Sequence, residues 1–117
     1  MAVQTIERTF AQGATSRIRL RLTRKDGTPF DASAASVVSE VRKTTGELVL
    51  TWTPSISTMV ISGTTWWILT LDATYVDTEG VPADTQVKCD IELTKAGVRY
   101  RVAQFSSLQW TSQTTLG

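Results

Sequence analysis

Apolar and polar residues alternate along two stretches of this chain with the two-residue period of a β-strand. From Arg17 to Arg24, Ile18, Leu20 and Leu22 fall on one face and Arg17, Arg19 and Arg21 on the other, because successive side chains on an extended backbone point to opposite sides. From Val87 to Leu93 the same pattern sets Val87, Cys89, Ile91 and Leu93 against Lys88, Asp90 and Glu92. Each strand therefore has one face for a core and one for water or for a partner of opposite charge.

Turn chemistry divides the rest of the chain. Thr5 to Phe10 reads as a short first strand, and Gln12-Gly13-Ala14 as a turn into the long strand Thr15 to Arg24. Lys25-Asp26-Gly27-Thr28-Pro29 predicts a tight reversal, since Asp26 can bond the backbone locally and Gly27 tolerates positive φ. Asp31 to Ser36 is weakly patterned and predicts one helical turn capped by Asp31, not a full helix. Val37 to Lys43 and Leu48 to Thr53 read as the arms of a hairpin turned at Gly46, with Pro54 ending the second arm. Met59 to Ile61 and Trp66 to Leu71 form another around Ser62-Gly63-Thr64-Thr65, with Trp67, Leu69 and Leu71 on one face and Trp66, Ile68 and Thr70 on the other. A short helical turn is expected over Asp72 to Asp77, broken by Gly80-Val81-Pro82. Gln86 to Thr94 and Val98 to Gln104 pair around Lys95-Ala96-Gly97, Phe105 to Trp110 continue past a kink, and Thr111 to Gly117 read as a frayed tail.

About seven to nine short strands without a helical period predict an all-β fold, an antiparallel β-sandwich of immunoglobulin-like or jelly-roll-like form, with a small β-barrel as the alternative. A length of 117 residues suits a single domain over 1–117, with a short flexible N-terminal arm, Met1 to Glu7, and the C-terminal tail. The chain has a net charge of +1 and a pI near 7.9, so no general attraction to nucleic acid is expected. The N-terminus lacks the apolar core of a signal peptide and no apolar run approaches membrane-spanning length, so a soluble protein made in the cytosol, with no membrane partner, is expected.

Composition also narrows the chemistry. The chain contains no histidine and a single cysteine, which removes the Ser-His-Asp triad, the Cys-His pair and any histidine metal site. Cys89 lies on the apolar side of its strand and is expected to pack as a small hydrophobe. Asp72, Asp77, Glu79, Asp84, Asp90 and Glu92 could supply a carboxylate pair, and Asp72, Asp77 and Glu79 a Ca²⁺ loop. Their spacing does not match an EF-hand, and solvated roles are the simpler reading. No cofactor, metal or enzymatic activity is expected. Asp90 and Glu92 are expected to lie across from Arg99 and Arg101 as ion pairs.

Contact chemistry is better represented. Arg17, Arg19, Arg21 and Arg24, with Lys25, form a basic row whose guanidinium forks could grip an acidic partner. The chain also has four tryptophans, Trp52, Trp66, Trp67 and Trp110. Adjacent Trp66 and Trp67 must point to opposite faces, so one fills the core while the other can meet solvent. Trp66 and Trp110 join Arg17, Arg19, Arg21 and Arg24 as candidate contact residues. A sugar-stacking platform on Trp66 or Trp110 is the alternative use.

The order of short motifs resembles small β-sandwich proteins of tailed bacteriophages and prophages, related in pattern to the N-terminal domain of baseplate upper proteins. The matching pieces are Gln12-Gly13-Ala14-Thr15, the turn Lys25 to Asp31, Val41-Arg42-Lys43-Thr44-Thr45-Gly46, Leu71-Asp72-Ala73-Thr74, Cys89-Asp90-Ile91-Glu92-Leu93 and Gly97-Val98-Arg99-Tyr100-Arg101. Cys89 stands where the family commonly has an aromatic, and Phe105 to Trp110 lacks a glycine frequent in the last strand. The resemblance implies a non-enzymatic virion component of the tail, baseplate or neck. It would be made in the bacterial host cytoplasm and act through contacts with other virion proteins, as a homo-oligomer in a symmetric assembly. The alternative function is a carbohydrate- or receptor-binding module.

Overall fold

The structure is a computed structural model and describes residues 2–11, 13–74, 77–78, 81 and 83–111. Among these residues the chain forms eight strands: β1 Gln4–Ala11, β2 Ser16–Leu22, β3 Ser36–Lys43, β4 Leu48–Thr51, β5 Thr53–Ile61, β6 Thr64–Ala73, β7 Val87–Lys95 and β8 Val98–Thr111. They build a five-stranded sheet, β1-β8-β7-β3-β4, packed on a three-stranded sheet, β2-β6-β5. The fold is thus an all-β sandwich. Its strand order is immunoglobulin-like, with the second, sixth and fifth strands facing the eighth, seventh, third and fourth. Pairing is antiparallel throughout except for β1, which runs parallel to β8.

The alternating strands do what their patterns predict. In β2, Ser16, Ile18, Leu20 and Leu22 are buried and the three arginines exposed; in β7, Val87, Cys89, Ile91 and Leu93 are buried. Their inner faces meet Leu69 and Leu71 of β6, Val41 of β3 and Leu108 and Trp110 of β8 in one apolar cluster. Burying this surface between two layers is what holds the sandwich together.

Several expectations need correction. The N-terminal segment is no free arm from Gln4 onward, because β1 hydrogen-bonds along β8 and buries Ile6. β2 stops at Leu22, and Thr23 instead bridges Pro29 across the reversal. No helical turn forms after Asp31, whose Oδ1 accepts from Ser33 N at 2.9 Å in a local turn. Pro54 does not end an arm. β4 ends at Thr51, Trp52 N still donates to Ser39 O at 3.0 Å, and the chain then crosses to the other sheet, where Pro54 sits inside β5. Trp52 makes that crossing fully inside the core.

The β5–β6 and β7–β8 hairpins turn through two-residue loops with positive φ at both positions, Ser62 (51°) with Gly63 (78°), and Ala96 (51°) with Gly97 (79°). That geometry matches the twist of the flanking strands. β8 is continuous through Trp110 but carries register shifts opposite Ile91/Glu92 and Ile6/Glu7. The first is a β-bulge that puts Val102 and Ala103 side by side in the core, and the kink expected after Gln104 falls between the two shifts. Between β6 and β7, Thr78 N donates to Thr74 O at 3.1 Å, a helical bond, and the buried Thr78 Oγ1 donates to Ala14 O at 3.0 Å. Gln12 of the first turn, Tyr75 and Val76 of the expected helical turn, Gly80 and Pro82 of the breaker, Glu79, and the tail beyond Thr111 lie outside the described residues.

Candidate interaction surface

The register of β2-β6-β5 fixes which side chains share the outer face of the smaller sheet. Arg17 pairs with Asp72, Arg19 with Thr70 and Arg21 with Ile68, while Ser55 pairs with Thr70, Ser57 with Ile68 and Met59 with Trp66. Directly paired residues lie on the same face. One side of this face is therefore a row of arginines, the centre runs from Asp72 to Trp66, and the far strand presents Ser and Thr ending in Met59 and Ile61.

The three arginines have different surroundings. Arg17 Nε donates to Asp72 Oδ1 at 2.6 Å and Nη2 to Oδ2 at 3.5 Å. This near-bidentate pair raises the guanidinium pKa, first through the hydrogen bond and then through the charge. Arg21 lays its guanidinium over the Trp66 ring, 4.3 Å from the centroid, a cation–π contact. Beneath them Ile68 is only 7% exposed although it points outward, because arginine stems and aromatic rings cover apolar neighbours. Arg19, opposite Thr70, has no ion pair among the described residues. Arg19 and Arg21 are thus the members of the row still able to meet an acid.

Arg24 leaves the row. Its backbone closes the reversal, with Arg24 N donating to Thr28 O at 2.8 Å and Gly27 N to Arg24 O at 2.9 Å. It lines a shallow depression with Lys25, Asp26, Phe30 and Tyr100. There Phe30 and Tyr100 meet edge to face with centroids 5.2 Å apart, and Lys95 Nζ lies 5.9 Å above Phe30. In the turn, Thr28 Oγ1 (2.6 Å) and Thr28 N (3.0 Å) donate to Asp26 Oδ1, and these bonds lower the Asp26 pKa.

Trp110 is also removed from the surface. It is 0% exposed, and its Nε1 donates to the buried Ser16 Oγ at 3.1 Å, tying β8 to β2 across the sandwich. Its ring lies 5.3 Å from Phe10 and 6.0 Å from Trp52. Trp52 is equally buried; among the described residues its Nε1 makes no hydrogen bond of ordinary geometry, and the weakly accepting Cys89 thiol lies close enough to feel it. Cys89 itself is buried, with Sγ 3.3 Å from Ser39 Oγ, and burial pushes its thiol pKa up. Such a thiol is a poor nucleophile. A multi-tryptophan sugar platform does not assemble, because Trp66 and Trp67 alone keep some exposure and they face opposite ways.

On the larger sheet, Arg101 opposes Glu92 in register and its Nη2 lies 4.0 Å from Asp90 Oδ2, whereas Arg99 opposes Thr94. Asp77 Oδ2 accepts from Thr74 N at 3.1 Å and from Thr74 Oγ1 at 2.9 Å. With Asp72 held by Arg17, the carboxylates named for a Ca²⁺ loop are separately engaged, and Glu79 lies outside the described residues. No group of three metal-ligating acids or cysteines occurs among the described residues. Nor is any helix among them long and apolar enough to cross a membrane.

The sequence pattern did not single out the end of the β5–β6 hairpin. β2 pairs with β6 only up to Trp67, whereas β5 and β6 pair on to Ile61 and Thr64. The hairpin therefore projects past its neighbour and leaves Met59 41%, Val60 68% and Ile61 40% exposed. The available signal was the Ser62-Gly63 dipeptide, a two-residue hairpin loop that places Thr64 and Thr65 in the strand. Compared with protein-family models the chain matches none, and none of the curated proteins matches it.

Proposed function

We propose that this chain is a non-enzymatic structural protein of a tailed-bacteriophage virion, in the tail, baseplate or neck, that works through subunit contacts. The observation carrying this reading is the outer face of β2-β6-β5, where Arg19 and the Arg21–Trp66 stack adjoin the exposed Met59 and Ile61. Arginine and tryptophan next to apolar surface are the residues that anchor protein interfaces. An open sheet face suits another protein surface better than an enclosed small molecule. The motif order running from Gln12 to Arg101 supports placing the partner in a virion. The glycan-binding alternative has less support, because one face of the Trp66 ring is already occupied by Arg21.

The test is assembly of particles in the presence of the double variant Arg19→Glu, Arg21→Glu. Both side chains are exposed and neither makes an ion pair among the described residues, so folding should be kept while incorporation is lost. Unchanged incorporation of the folded variant would overturn the role of this face.

A further inference from the structure

We infer that the free edge of β5 pairs with β5 of a second copy about a two-fold axis at Thr58, joining two three-stranded sheets into one of six strands. This names a partner for the contact reading above and rests on it only in supposing that the protein works by association.

Among the described residues the sandwich has four sheet edges, β1, β4, β2 and β5. Unpaired edges invite strand addition unless they are short or charged. β4 is four residues long, β1 carries Glu7 and Arg8, and β2 carries Arg17, Arg19 and Arg21. β5, Thr53-Pro54-Ser55-Ile56-Ser57-Thr58-Met59-Val60-Ile61, has nine residues and no charge at all. After Pro54 it contains neither proline nor glycine, and all of it except Ile56 is exposed. It is the undefended edge.

The hairpin determines which backbone groups are available. Ile61 and Thr64 flank a two-residue loop, so they form a hydrogen-bonded pair, and such pairs recur at every second residue. Ile61, Met59, Ser57, Ser55 and Thr53 therefore bond to β6. The N–H and C=O groups of Ile56, Thr58 and Val60 point away from the sheet. Pro54 occupies the same outward class of position, where its missing N–H costs β6 nothing.

A second β5 running antiparallel fits these groups in one register. Thr58 meets Thr58 of the copy on the axis, Ile56 meets Val60 and Val60 meets Ile56. All three outward positions are used, on the order of six backbone hydrogen bonds form, and Pro54 stays outside the ladder. The side-chain pairs are Thr with Thr and Ile with Val, both favourable across strands. Charge supports the same occupant. A neutral strand does not repel its own copy, and the arginine row lies on β2, at the opposite edge of the sheet. Contact through a two-fold makes every residue serve twice, which suits a closed dimer.

The test is the mass of the purified protein by sedimentation equilibrium, with Val60→Lys and Thr58→Pro beside it. Wild type should approach twice the 12.8 kDa chain mass. Val60 is 68% exposed, so lysine there should leave the monomer folded while weakening the dimer at least about tenfold, by placing an ammonium against Ile56 of the copy. Thr58→Pro removes only an outward N–H and should give a folded monomer. Thr58→Cys should form an intermolecular disulfide on oxidation, and Val60→Cys should not, because only position 58 meets itself. A wild-type monomer at every concentration, or a dimer that survives Val60→Lys, would overturn the inference. These measurements need no particle, so a failed dimer leaves the incorporation test of Arg19 and Arg21 standing by itself.

Discussion

Trp110 and Trp66 are the same residue type, each on a strand of the same sandwich, yet their surroundings differ in nearly every respect. Trp110 lies where both sheets overlap, fully buried, packed on Phe10 and Trp52 and hydrogen-bonded to Ser16. Trp66 lies where β6 has outrun β2, half-buried, with Arg21 on one face and Met59 paired beside it. The first supplies stability and the second an accessible surface. What separates them is the face of the sheet each occupies, since Trp110 points between the two layers and Trp66 points away from them.

The largest expected break in this comparison is Trp110→Ala, which should cost about 3–5 kcal/mol, as removal of a buried aromatic leaves a cavity. Denaturant unfolding checks it, and a loss near that of Trp66→Ala, about 1 kcal/mol for a half-exposed ring with a cation–π contact, would erase the contrast. Ser16→Ala should come next, at about 1–3 kcal/mol, because it strands the buried Trp110 Nε1 donor. If it proves neutral, the bond between β8 and β2 does not help hold the wall.

Gly63→Ala probes the projecting hairpin by itself. Gly63 has φ +78° with nothing within 4 Å of an added Cβ, so the cost is backbone strain alone, about 1 kcal/mol. It should fall on the local opening of β5 and β6, seen as faster amide exchange there with little change at Trp110. The smallest effect is electrostatic. Thr28 holds the Asp26 pKa below its ordinary value, so the folded state binds this proton less readily than the unfolded chain. The stabilisation is present above the unfolded pKa and disappears as pH falls through the folded one. Asp26→Asn should flatten that acid limb of the stability curve and leave Trp66 and Trp110 fluorescence unchanged.

Much of the fold was legible because period-two alternation reports which face is buried. β2 and β7 match their expected burial residue by residue, and Arg17, Arg19 and Arg21 stand on the outer face as expected. The misreadings have separate causes. Pro54 looked like a terminator because proline cannot donate to a ladder, but on an edge strand its position needs no donor. Trp110 looked like a contact residue because its strand was read without the bulges that decide which way it points. Arg24 looked like part of the row because alternation does not mark where a strand ends in a turn.

By itself the sequence determined an all-β chain, the hairpin turns, the arginine face and the burial of Cys89, since alternation, positive-φ turn residues and side-chain polarity act over a few neighbouring residues. Tertiary structure alone decided that Trp52 carries the chain between sheets, that Trp110 is enclosed while Trp66 is not, and that β5 has a bare edge. Those outcomes depend on which strands come to lie beside and across from one another, and strands distant in sequence settle that by burying their apolar faces together.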